Sequence, residues 1–174
     1  VYDSVEERLD WSRMQNGLTL ECEKLDLAAE VSDAVLNMTP RAMQEGVTLR
    51  WEEPEAPVPV HADAARLKQV FINVLDNAVK YSQEGGRIWV EASRGELYLT
   101  IRVTDEGIGI DEGEEARVFQ RFYRGRRTAS YEGLGVGLYL AREITARHGG
   151  FMEIQRRDPG VEVRVCLPIG FGEI

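Results

Sequence analysis

Four groups of residues have types and spacings that could handle a phosphorylated ligand. The first is Asn73, Asn77, Lys80 and Tyr81. Helical positions four apart share a face, so Asn73 and Asn77 lie one above the other and Lys80 continues that face. An asparagine carbonyl is a hard oxygen donor suited to Mg²⁺, which keeps most of its waters and takes only one or two protein ligands beside phosphates. Lys80 adds a point charge for phosphate oxygens, and Tyr81 a ring that could cover a base. On its own, this group is better explained as an amphipathic helix with two polar residues at its edge.

The second group is Asp105-Glu106-Gly107-Ile108-Gly109, directly after a strand pattern. Two glycines let the backbone approach a flat ligand closely. The aspartate at the strand end can accept a hydrogen bond from an adenine exocyclic amine and would repel the oxygen that guanine carries there. The third, Phe119-Gln120-Arg121-Phe122-Tyr123-Arg124, leads into a basic loop that ends at Glu132. Phe119 and Phe122 at i, i+3 could anchor that loop, leaving Arg124 on a segment bracketed by Gly125 and Gly133, as in a lid carrying a phosphate-binding arginine. The fourth, Gly133-Leu134-Gly135-Val136-Gly137-Leu138, opens a helix. Bare backbone N–H groups at a helix start form an anion site. Its GxGxG spacing after a loop is not the GxGxxG of a dinucleotide fold, and the chain has no GxxxxGK[ST]. Taken singly, the second and third groups have plain alternatives: a glycine-rich turn with an exposed acid, and a solvated basic loop.

The elements that must position these groups are legible. Residues 1–16 read as a helix with Tyr2, Val5, Leu9 and Met14 on one side and Gly17 as its stop, and Leu18 to Lys24 as a strand. Asp26 caps a helix from about Leu27 to Glu45, with Pro40 expected to kink it and Gly46 to end it. Val47 to Trp51 reads as a strand, and Pro54, Pro57 and Pro59 mark a loop. Asp63 caps a helix over Ala64 to Tyr81 with Leu67, Val70, Phe71, Val74, Leu75 and Ala78 as its apolar stripe. Arg87 to Ala92 and Leu97 to Thr104 form strands around Arg94-Gly95, and Val136 to Arg147 a helix. Phe151 to Arg156 and Val161 to Leu167 close the chain as a hairpin around Asp158-Pro159-Gly160. This mixture predicts a two-layer α/β (α+β) sandwich: a mixed, mostly antiparallel sheet covered on one face by about three helices, with a mobile lid.

At 174 residues the chain suits one well-buried domain. A net charge of −9 argues against general nucleic-acid binding, which needs a basic face. Against that background Arg117, Arg121, Arg124, Arg126 and Arg127 form a local positive run that suggests a specific anion. Cys22 and Cys166 are isolated and read as reduced cytosolic thiols. No apolar run approaches a membrane span.

Together and in this order the four groups resemble the catalytic and ATP-binding domain of sensor histidine kinases, which shares its fold with DNA gyrase, the heat-shock chaperone ATPases and the mismatch-repair ATPases. The stretch from Asp63 to Val70, continued by Asn73-Val74-Leu75-Asp76-Asn77-Ala78-Val79-Lys80-Tyr81-Ser82, is similar to the family's asparagine box almost residue for residue. The acid-glycine, phenylalanine and second glycine boxes follow, then His148-Gly149-Gly150 and the closing Gly160 to Pro168 strand. The resemblance covers about residues 20 to 168. It implies ATP and Mg²⁺ as ligands, with Asn77 on the metal and Asn73 and Lys80 on phosphates or bound water. It further implies Tyr81 against adenine, Asp105 on its amine, Gly107 and Gly109 shaping the base pocket, and Arg124 reaching the γ-phosphate. Gly133, Gly135 and Gly137 would line the phosphate end, and Ile110, Arg121, Val136 and Leu138 complete the expected contacts. Glu132 and Leu134 depart from the family's common glycine and threonine.

Asn73 bears on which relative this is. The hydrolytic members, and the serine kinases among anti-sigma factors, carry a glutamate there that can activate a water or hydroxyl. An asparagine has no basic carboxylate and suits a kinase whose acceptor is an imidazole. The alternatives are a hydrolytic ATPase clamp and a non-catalytic nucleotide-binding module. His61 and His148 read as structural, and neither sits in the family's phosphoacceptor box. Leu9 to Met14 with Gly17 resembles the tail of the dimerisation and phosphotransfer hairpin, dividing the chain into a tail at 1–17 and a catalytic domain at 18–174. The resemblance then implies the parent's own hairpin and a response regulator as partners, a monomeric fragment of a homodimeric parent, and a cytoplasmic domain without membrane contact.

Overall fold

The computed structural model describes residues 19–109 and 137–169. The readings at 1–18, including the N-terminal helix, and at 110–136, including the phenylalanine box and most of the second glycine box, lie outside the described residues.

Strand β1 (Glu23–Asp26) leads into helix α1 (Leu27–Gln44), followed by β2 (Thr48–Trp51), β3 (Pro59–Ala62) and α2 (Ala64–Lys80). Then come β4 (Arg87–Arg94), β5 (Tyr98–Asp105), α3 (Gly137–Arg147), β6 (Phe151–Arg156) and β7 (Val161–Pro168). Five strands make one sheet in the order β2-β4-β5-β7-β6, with β2 parallel to β4 and every other pair antiparallel. Strict alternation along β5 sends Leu99, Ile101 and Val103 under the helices, where Ile88, Val90, Val163 and Val165 join them in the core. The helices pack side by side as α1-α2-α3 over that one face. The expected two-layer sandwich is what the chain forms.

Most boundaries shift from expectation by one or two residues, and one strand is displaced further. The strand expected over Leu18 to Lys24 is β1, displaced to Glu23–Asp26, and it pairs with β3 in a separate two-stranded sheet. The proline loop therefore contains a strand. Pro59 is its first residue, opposite Asp26 at the end of the ladder, where a missing N–H costs least. The long helix ends at Lys80, with Tyr81 as its C-cap donating its N–H to the Asn77 carbonyl. Pro40 lies inside α1 on its exposed side.

Helix α2 carries the asparagine box, and three things hold it. Leu67, Val70, Phe71, Val74 and Leu75 are all buried and form the stripe by which the helix packs into the core. At its start Asp63 is extended (φ −83°), and its Oδ1 accepts from the Arg66 N–H at 3.2 Å while Oδ2 accepts from the Glu21 N–H at 2.9 Å. The Asp63 N–H in turn donates to His148 Nε2 at 3.1 Å. The other ring nitrogen of His148, Nδ1, lies 2.9 Å from the Ile144 carbonyl. A carbonyl only accepts, so Nδ1 carries the proton and Nε2 is bare: the buried ring is neutral and joins the end of α3 to the start of α2. Burial holds its pKa below the ordinary histidine value, partly offset by the Ile144 bond and the Asp63 charge.

A histidine with a depressed folded pKa contributes stability that is present above its unfolded pKa, about 6.5, and is lost as pH falls toward the folded value. In urea unfolding, the stability gap between the parent and His148→Gln is therefore expected to be widest near pH 7.5 and to narrow steadily below about pH 6.5. A gap that stays constant across that range would contradict a neutral clasp.

Candidate functional site

Asp105 closes β5, the middle strand, between Ile88 of β4 and Val161 of β7. Strand alternation puts it on the same face as Val103 and Ile101, so a carboxylate lies under the helices with 9% of its surface exposed. Its Oδ1 accepts from the Gly107 N–H at 2.9 Å, and the Val161 N–H donates to the same carboxyl. Burial pushes its pKa up to about 6, and these two backbone bonds pull against that rise. At neutral pH the group is an ionised acceptor in a dry setting, which fits a ligand amine.

The backbone closes tightly around it. A Cβ on Gly107 would stand 2.3 Å from the Tyr81 carbonyl oxygen. The same carbonyl accepts from the Ile108 N–H at 3.1 Å, so the C-cap of α2 rests on the Asp105–Gly109 turn. Gly160 has φ +94°, and a Cβ there would stand 2.0 Å from the Asp105 carbonyl oxygen. Gly109 is buried with φ 72°.

On α2, Asn73 is nearly buried (9% exposed) and its Nδ2 donates to the Gly137 carbonyl at 3.2 Å, linking the asparagine face to the first residue of α3. Asn77 and Lys80 follow at successive turns and are half-buried, as is Tyr81. Leu138, at the start of α3, packs against the core. Three expected clusters therefore meet: Asn73, Asn77, Lys80 and Tyr81 on one helix; Asp105, Gly107 and Gly109 at the strand end; Gly137 and Leu138 opening α3. Ile110, Arg121, Arg124, Gly133, Gly135 and Val136 lie outside the described residues. Among the described residues no three His, Cys, Asp or Glu side chains gather at metal-binding distance. The carboxamide oxygens of the asparagine face suit a cation held mostly by phosphate and water.

Sequence reasoning saw Gly160 as part of a turn and as the start of the closing strand, not as a neighbour of Asp105. In the fold, Gly160 and Val161 form the wall behind Asp105. That role depends on the β5–β7 register, which pairs Asp105 with Val161 across 56 positions of chain and has no local sequence signal.

The sequence profile of histidine kinase-, DNA gyrase B- and HSP90-like ATPases matches residues 62–170. The chain belongs to this ATPase family. Its relatives include the sensor protein KdpD of Escherichia coli, 34% identical over 162 residues, or 92% of this chain and 18% of that protein. Among solved structures, the mycobacterial sensor histidine kinase MprB is 28% identical with a TM-score of 0.74, covering 84% of this chain and 97% of that one. Full-length ShkA in complex with AMPPNP is 26% identical with a TM-score of 0.82, covering 95% of this chain and 35% of that one. As an ATPase-family domain whose relatives are sensor histidine kinases, the chain is an ATP-binding catalytic domain. It spans 13–30% of the length of the first curated relatives it matches. Among the described residues no helix is long and apolar enough to cross a membrane.

The crowding at Gly160 has a direct test. Gly85 has a similar φ of +86°, and a Cβ there would meet nothing within 4 Å, whereas at Gly160 it would face a backbone oxygen. Both alanine variants carry the left-handed strain of about 1–2 kcal/mol, and only Gly160→Ala must also displace backbone. Urea unfolding should show Gly160→Ala destabilised by at least ~1 kcal/mol more than Gly85→Ala.

Proposed function

We propose that this chain is the ATP-binding catalytic domain of a two-component sensor histidine kinase, which passes the γ-phosphoryl group of Mg·ATP to a histidine on a separate helical hairpin of its parent. The observation that carries this reading is Asn73. It occupies the place where hydrolytic relatives hold a glutamate, and its amide is committed to the Gly137 carbonyl, so the site offers no carboxylate there to activate water. An imidazole acceptor is already a nucleophile at neutral pH and needs no such base.

In this reading Asp105 accepts from the adenine amine, Gly107 and Gly109 let the base approach, and Tyr81 lies against it. Asn77 supplies the protein oxygen for Mg²⁺, and Lys80 and Arg124 neutralise phosphate charge. Gly133, Gly135 and Gly137 present N–H groups to the phosphates, with Ile110, Arg121, Val136 and Leu138 completing the pocket. Bound Mg²⁺ offsets the charge of the phosphate oxygens during transfer. Residues 1–17 are read as the end of the dimerisation and phosphotransfer hairpin and 18–174 as the catalytic domain. A response regulator is the partner reached through that hairpin.

With γ-labelled ATP the chain itself should stay unlabelled, while the parent's histidine hairpin supplied in trans becomes labelled. Acid-labile label on His61 or His148 would overturn the assignment. Losing a charged hydrogen-bond partner costs about 1.5–3 kcal/mol, roughly ten- to a hundredfold in affinity. Titration calorimetry of Asp105→Ala should show that loss for ATP and ADP alike. For Asn77→Ala the loss should appear with Mg²⁺ present and shrink when the metal is chelated.

A further inference from the structure

The wall behind Asp105 is held by a charged network on the opposite face of the sheet. Glu162 follows Val161 in β7, and alternation turns its side chain away from the helices, yet only 2% of it is exposed. Its Oε1 accepts from Arg157 Nη2, and Thr104 Oγ1 donates to the same oxygen at 3.5 Å. Its Oε2 accepts from Arg164 Nε at 2.6 Å. Arg164 is itself tied to β6, its Nη2 donating to Gln155 Oε1 at 3.0 Å.

The three partners come from the three segments that converge on Asp105. Arg157 opens the β6–β7 turn, where its N–H donates to the Gly160 carbonyl at 3.0 Å. Thr104 immediately precedes Asp105 and pairs with Glu162 in the ladder. Arg164 continues β7. One buried carboxylate therefore fixes the turn, the end of β5 and the start of β7 together. The two arginines hold Glu162 ionised, its pKa lowered against the burial that would raise it.

We infer that Glu162 is a positioning residue for Asp105: by locking the turn at Gly160, it aims the Val161 N–H at the Asp105 carboxylate and keeps that carboxylate an ionised acceptor for the ligand amine. The inference rests on the proposed role of Asp105 in binding adenine. Without Glu162, Arg157 loses its carboxylate partner, and the turn keeps only the Arg157–Gly160 backbone bond beyond the Arg156–Val161 ladder pair. The Val161 N–H then leaves its acceptor, and Asp105 becomes harder to ionise.

The sign of the effect separates this from the alternatives. Among the described residues, the charged and titratable groups around Asp105 are Glu106 with Arg87 of β4 at its flank, 3.3 Å apart, Lys80 and Tyr81 at the end of α2, and Glu162 with Arg157 and Arg164 across β7. If Glu162 acted on Asp105 through space alone, neutralising it would remove a negative charge and make Asp105 easier to ionise. Positioning predicts the opposite.

The test is an NMR titration of the Asp105 side-chain carboxyl in the 174-residue chain, with the signal assigned through Asp105→Asn. Relative to the parent, Glu162→Gln should raise the midpoint by about half a pH unit or more and weaken ADP about three- to tenfold at pH 7. Arg157→Gln, at a half-exposed position, should move both in the same direction by less, and Arg157→Lys should restore them in part. Urea unfolding at the same pH confirms that each variant is folded. A midpoint that falls, or stays fixed while the protein is folded, overturns the proposal. The underlying reading fails separately: in that case Asp105→Ala would bind ADP as tightly as the parent while the Glu162 variants still shift the titration.

Discussion

A carboxylate buried at the end of the central strand sets the terms for this half of the molecule. Moving the pKa of Asp105 from 3.8 to about 6 corresponds to roughly 3 kcal/mol of unfavourable ionisation. That is a large part of the margin by which a domain of this size is stable. The surrounding backbone reflects this cost. Gly107 and Gly160 give up side chains so that main chain can come close, and two N–H groups point at the carboxylate. The C-cap of α2 rests on the same turn through the Tyr81 carbonyl. Burial disfavours the ion, and the Gly107 and Val161 N–H groups offset part of that cost.

The second organising feature is the seam between α2 and α3. Apolar contact from Leu140, Ala141 and Ile144 joins the two helices along their length, and a polar clasp closes each end. At one end Asn73 holds the Gly137 carbonyl; at the other His148 holds the Asp63 N–H. Arg41 pairs with Asp76 to tie α1 to the outer side of α2. The asparagine face is consequently fixed in rotation and cannot slide along its neighbour. Asn77 and Lys80 inherit their placement from this frame.

Much of this was legible in the sequence because the signals were local. The 3.6-residue stripe of Leu67, Val70, Phe71, Val74 and Leu75 predicted α2, and Asp26 and Asp63 predicted two helix starts that the hydrogen bonds bear out. The strand reading over Leu97 to Thr104 found β5 to within a residue at each end, and the order of the four motifs pointed to the family that the profile match establishes. What sequence missed was non-local. The strand at Pro59–Ala62 exists only because β1 pairs with it, and prolines masked that partner. The wall at Gly160 and Val161, and the Glu162 network behind it, follow from a register between distant strands. No periodicity within either segment encodes that register.

The parallel pairing of β2 with β4 bears on how the molecule assembles. Thr48 pairs with Arg87, and the chain between these strands contains β3 and the whole of α2. The helix with the asparagine face is thus the crossover itself. Loop-closure entropy for that long connection must be met before the edge of the sheet can form. Contacts within the β4–β5 hairpin span only a short loop and carry no such penalty. By loop length the hairpin is the easier unit to close, and pairing β2 with β4 requires the β3–α2 crossover to be in place. The placement of Asn73 and Asn77 depends on that crossover being seated, so the hairpin alone carries Asp105 without the helix that packs beside it.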